Sequence, residues 1–100
     1  MRALDRLTWH IMDAMADDWE SIDQIQPYIR DYCGPMADER VITILRELHA
    51  EGLIEIMEVG EDRNDSFPAD PSRSWFSMTP TGRALWDRQG GPYRAEDEPA

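Results

Sequence analysis

The sequence predicts a mainly helical domain with one small β-hairpin: a three-helix core, two paired strands and a C-terminal helix. Three observations lead to this fold class. Apolar residues recur at helical spacing in three successive segments, as Leu4, Leu7, Ile11 and Met15, then Ile22, Ile25 and Ile29, then Val41, Ile44, Leu45 and Leu48. Gly52 closes the third segment and is followed by the strand-like run Leu53, Ile54 and Ile56. A second strand-like run, Ser74 to Met78, ends at Thr79-Pro80, a helix start.

Each element has its local signals. The first helix is expected from about Ala3 to Ala16 on its apolar stripe, with Asp17 and Asp18 at its end. Ser21 with Gln24 three residues later reads as a capping box, so a second helix begins there. Pro27 lies past its first turn and lacks an amide hydrogen, which predicts a kink or a restart. The run Asp31 to Ala37 is a turn by its Gly34-Pro35 pair. The third helix spans about Ala37 to Glu51, and Gly52 takes the left-handed conformation that ends it at no steric cost. Strands from Leu53 to Val59 and Ser74 to Met78 flank a long hairpin loop rich in Gly, Asp, Asn, Ser and Pro. Thr79 caps the last helix, which continues to about Gln89. Residues 90–100 are polar and open on Gly90-Gly91-Pro92, so a disordered acidic tail is expected beyond a domain over 1–89.

The balance of charge narrows the partners. The 100 residues carry a net charge of −11, and all ten basic residues are arginine. Three origins fit this pattern: a GC-rich genome, a halophilic host, or selection against binding polyanions. Repulsion from DNA at low ionic strength follows from such a charge, and it nearly vanishes at molar salt, where the Debye length is about 3 Å. One cysteine, Cys33, excludes an internal disulfide framework and suits a reducing compartment. No apolar run reaches the roughly 18 residues of a membrane span, and the N-terminus lacks a signal-peptide apolar region, so a cytoplasmic protein without a membrane partner is expected.

Two blocks carry a family resemblance. VITILRELHAEGLIEI (Val41 to Ile56) and WFSMTPTGRAL (Trp75 to Leu85), in this order and separated by a wing-like loop, resemble the winged helix-turn-helix transcription regulators, particularly the PadR-like and MarR-like groups. In the second block Phe76, Met78, Thr79 and Gly82 stand on the matching positions, and the likeness spans about Leu4 to Trp86. The resemblance implies a third helix lying in the major groove of double-stranded DNA, presenting Asp38, Glu39, Arg40, Ile42, Thr43 and Arg46. Arg40, Thr43 and Arg46 would read bases, while Arg63 and Arg73 in the loop would hold phosphates. It also implies a homodimer. The chain departs from the pattern at Asp38 and Glu39, which meet phosphate with negative charge, and at Glu58, Glu61, Asp62, Asp65 and Asp70 around the loop arginines. Carboxylates in a first helical turn also favour the macrodipole by roughly 0.3 to 1 kcal/mol, which is a purely structural use for Asp38 and Glu39. A second function class therefore stands beside DNA reading: an acidic interaction module that meets a basic protein partner or mimics DNA.

Other constellations are weaker. His10, Asp13 and Asp17 share one side of the first helix, which reads as a solvated face and not as a metal site. His49 near the end of the third helix suits its C-terminal dipole. No nucleophile elbow, phosphate loop, dinucleotide fingerprint or zinc motif is present, so neither enzyme activity nor a cofactor is expected. Trp75 alternates with Phe76 and Met78 and faces outward or under the wing. Trp9 and Trp86 fall off the main stripes of their helices, either to be buried against each other or to form a dimer interface.

Overall fold

The computed structural model describes residues 2–58, 63–64 and 67–97. Its elements run α1 (Arg6–Ala14), α2 (Ile22–Cys33), α3 (Asp38–Ala50), β1 (Ile54–Glu58), β2 (Arg63–Asn64), a 3-10 turn (Pro71–Arg73), β3 (Ser74–Met78), α4 (Pro80–Gln89) and α5 (Gly91–Asp97). Three helices, a β-hairpin and a following helix are thus in the expected order. The expected Val59 end of the first strand and the tail residues 98–100 lie outside the described residues.

Side-chain capping sets most boundaries, and at α1 it moves the start from the expected Ala3 to Arg6. Asp5 caps α1 by accepting from the Thr8 amide at 2.8 Å. At α2, the Gln24 side chain accepts from the Ser21 amide at 2.9 Å and from its hydroxyl at 3.3 Å. Pro27 does not restart this helix, which runs without a break from Ile22 to Cys33. Pro27 and Asp23, whose carbonyl loses its intrahelical donor, both lie on the solvent-exposed side of the helix.

The end of α3 is a Schellman motif. Gly52 has φ +73°, its amide donates to the His49 carbonyl at 3.0 Å, and the Leu53 amide reaches back to the Leu48 carbonyl at 2.9 Å. Leu48 and Leu53 are both buried, closing the motif with an apolar contact. The start of α4 locks onto this turn. Thr79 donates through its amide to the Leu53 carbonyl at 3.1 Å and through its hydroxyl to the Gly52 carbonyl at 2.7 Å, while the same hydroxyl accepts from the Gly82 amide at 3.0 Å. A Cβ on Gly82 would lie 1.8 Å from the Leu53 carbonyl oxygen, so only glycine lets α4 approach this closely.

β1 and β3 pair antiparallel over five residues, with Ile54 opposite Met78, Ile56 opposite Phe76 and Glu58 opposite Ser74. Ile54, Ile56, Phe76 and Met78 face the core, and the alternate positions Met57 and Trp75 lie half-buried on the outer face. Two additions enlarge the hairpin. β2 pairs with the other edge of β1, giving the order β2-β1-β3. Glu20, just before α2, exchanges two backbone hydrogen bonds of 2.8 and 2.9 Å with Phe76 on the free edge of β3.

Leu7 to Met12 on α1 are six consecutive buried residues, because α2, α4 and α5 all pack on this helix. The expected solvated face is therefore absent: His10 is fully buried and its ring stacks on Tyr32 with centroids 4.4 Å apart. Asp13, half-buried, accepts from the Trp86 indole at 3.2 Å and from the Tyr28 hydroxyl. Residues 91–97 also differ from the expected disordered tail. They form α5, which Tyr93 anchors by donating to the Leu4 carbonyl at 2.9 Å and packing 5.6 Å from the Trp9 ring.

Candidate nucleic-acid interface

Val41, Ile44, Leu45 and Leu48 bury one side of α3 against the core, which leaves the other side to solvent. Arg40, Thr43 and Arg46 fall on that exposed side at successive three-residue steps, so the structure brings these three sequence-predicted readers into one stripe. Ile42 is half-buried at its margin.

The stripe is not uniformly free to reach outward. The Thr43 hydroxyl donates to the Glu39 carbonyl at 2.8 Å, leaving its oxygen as an acceptor only. The Arg46 guanidinium lies 5.1 Å from the Phe67 ring centroid, and Phe67 in turn lies 6.1 Å from His49 and 6.3 Å from Phe76. Arg46 is thereby held at the junction between α3 and the wing. Arg40 shares a groove with Asp5, Glu39, Thr43 and Glu47 at the seam between the start of α1 and α3. The Asp5 carboxyl is held below its ordinary pKa, chiefly by the Thr8 hydroxyl, then by the Thr8 amide and the Arg2 and Arg40 charges, against the opposing effect of burial.

Carboxylates frame the stripe. Asp38, Glu39, Glu47 and Glu51 are exposed along α3 and its cap, against two guanidiniums. Three of these acids have structural partners: Gln26 on α2 donates to Asp38 at 2.8 Å, and Arg2 pairs with Glu51 and, at 3.6 Å, with Glu47. Asp38 and Glu39 occupy the first turn after a cap, Ala37, that makes no side-chain hydrogen bond.

The predicted phosphate clamps are not gathered with the readers. Arg73 is exposed in the 3-10 turn, which packs against α2. The backbone of Arg63 pairs with Met57 in β2, but its side chain lies outside the described residues, as do Glu61, Asp62 and Asp65 and the side chain of Glu58. Asp70 accepts from the Ser72 hydroxyl at 2.6 Å and amide at 3.1 Å, which lowers its pKa and fixes the turn that carries Arg73.

Of the two tryptophans considered for a dimer interface, Trp9 is wholly enclosed by its own chain. Its ring stacks on Trp86 at 6.0 Å, and its indole donates to the Trp86 carbonyl at 2.9 Å. Trp86 is half-buried, with the Arg94 and Arg83 guanidiniums 4.7 and 5.9 Å from its ring. Among the described residues no three histidine, cysteine, aspartate or glutamate side chains are grouped to hold a metal ion, and no helix is long and apolar enough to cross a membrane.

Helix, helix, helix, hairpin, helix, with the third helix presenting a free face beside the hairpin, is a winged-helix-like arrangement. No family model matches the chain, and no curated protein matches it.

Proposed function

We propose that this protein is a DNA-binding transcription regulator of the winged-helix type, akin to the PadR-like and MarR-like groups, which reads an operator with α3 and performs no catalysis. The carrying observation is the stripe of Arg40, Thr43 and Arg46, exposed on a helix whose opposite side is fixed in the core. A helix held this rigidly offers its polar face to a major groove without an ordering cost. The homodimer of this proposal rests on Trp86, since Trp9 has no surface to offer.

Arg40 is the discriminating residue. Arg40→Ala is expected to relax base preference at one operator position and to cost about 1 to 3 kcal/mol there, whereas Arg73→Ala weakens binding to all sequences alike and flattens the salt slope by about one phosphate contact. A variant pair with indistinguishable effects on every sequence removes α3 from the reading role.

A second reading is favoured by the four exposed carboxylates at α3 and its cap. An acidic winged-helix module would use them to meet a basic protein partner or to mimic DNA, and it predicts no DNA binding at any salt concentration.

A further inference from the structure

The segment that leads into α1 brings one cation across to α3. Glu47 and Glu51 stand one helical turn apart on the exposed side of α3 and its cap, a spacing at which like charges repel. Arg2 meets both. Its guanidinium pairs with the Glu51 carboxylate and lies 3.6 Å from that of Glu47, so two conflicting acids are bridged by a residue far away in the sequence.

The bridge is held in place from α4 and α5. Gln89 donates to the Arg2 carbonyl at 2.8 Å and accepts from the Leu4 amide at 2.7 Å, which fixes the backbone on both sides of Ala3. Leu4 is buried, and Tyr93 donates to its carbonyl at 2.9 Å. Arg2 is itself half-buried and lines the same groove as Arg40, Thr43 and Glu47. Glu47 lies one turn beyond Thr43 on the stripe, so the compensation of its charge bears directly on what the stripe can meet. Exposed ion pairs add little to stability, and the consequence of this one is therefore read in binding.

We propose that Arg2 is a positioning residue that sets the ionic preference of the α3 face. Held by Gln89, it compensates Glu47 and Glu51 and keeps the face open to phosphate; without it, the same face turns towards polycations. The inference rests on α3 being the binding face, which both readings above share, and it does not require the ligand to be DNA.

The test measures, by fluorescence anisotropy at about 0.1 M salt, the binding of the full chain and its variants to two labelled probes: a DNA duplex of arbitrary sequence and an oligolysine peptide. Arg2→Gln should bind oligolysine about threefold more tightly than the wild type does, and should weaken any DNA binding of the wild type by about the same factor. Gln89→Met removes both bonds that hold the segment without changing the net charge, and should shift both affinities in the same directions. Arg83→Gln removes an equal charge from α4, where its guanidinium donates to the Ala16 carbonyl at 2.7 Å, and should give a smaller shift. Adding Glu47→Gln and Glu51→Gln to Arg2→Gln should cancel the gain for oligolysine. The proposal is overturned if Arg2→Gln gains no more for oligolysine than Arg83→Gln does, since net charge alone then acts, if it binds neither probe, or if the gain survives the two glutamate replacements. A folded Gln89→Met chain that binds both probes like the wild type also overturns it; if that chain does not fold, the Arg2 and Arg83 variants decide. A wild type that binds no DNA counts against DNA reading alone, because the oligolysine shifts still test Arg2.

Discussion

Gly52 and Gly82 lie at one junction for different physical reasons, and substitutions separate them. Gly52 has open space around it but a positive φ, so its demand is on the backbone alone. Gly52→Val should cost clearly more than the roughly 1 kcal/mol of glycine propensity effects, and Gly52→Asn much less, since asparagine enters the left-handed region more readily. At Gly82 the demand is for space, and Gly82→Ala should cost about 3 kcal/mol because the Leu53 carbonyl cannot yield without breaking its bond to Thr79. Thermal unfolding of the three variants checks the order, and an undisturbed Gly82→Ala would remove the close approach of α4. Asp5 gives a pH signature at the same scale. Its folded pKa is depressed, so its contribution to stability is present above about pH 4 and is lost as pH falls through the lowered value. Glu20 runs the other way: burial, then Asp18, raises its pKa, so its contribution is present at low pH and is lost as pH rises. Asp5→Asn keeps a capping side chain and should flatten the acid limb of the stability profile, read by melting temperature between about pH 3 and pH 6.

Elements were legible in the sequence wherever a local rule decided them. The Ser21-Gln24 box, the Gly52 cap, the Thr79-Pro80 start and the limits of β3 all depend on residues within a few positions, and all are in place. Features decided at long range were not legible. The stripe on α1 left Trp9 and His10 off its apolar side, but three helices wrap α1 and bury nearly its whole circumference. Glu20 is one residue of strand pairing, too short for any alternation to reveal, and its partner is 56 positions away. α5 was hidden by the polar composition of residues 90–97, in which Tyr93 alone signalled an anchor. Arg40, Thr43 and Arg46 were singled out by the family resemblance, carried across by position, whereas the contact between Gln89 and Arg2 follows from no spacing rule. The anchor can be tested: Tyr93→Phe should lose about 1 kcal/mol with the bond to Leu4. Tyr93→Ala should also expose Trp9 and shift tryptophan emission to longer wavelength; emission unchanged in that variant would mean that α5 does not cover Trp9.

For the molecule as a whole, the decisive conflict is between a shape suited to a DNA groove and a charge that opposes phosphate. Shape is set by the core and does not change with salt, but the unfavourable field of the exposed carboxylates is screened over about 10 Å at 0.1 M and about 3 Å at 1 M ionic strength. Asp38→Asn with Glu39→Gln removes two of those charges from the leading edge of α3 without altering side-chain size, and it should raise affinity for DNA of any sequence. Selection of genomic fragments with the purified full chain, at about 0.1 M and about 1 M salt and with this double variant alongside, tests the central claim most directly. A DNA-reading α3 predicts that one two-fold-symmetric sequence is enriched under at least one of these conditions, and that Arg40→Ala abolishes or broadens that enrichment. No sequence enriched at either salt concentration, by the wild type or by the double variant, would contradict it and leave the acidic interaction module as the account of this surface.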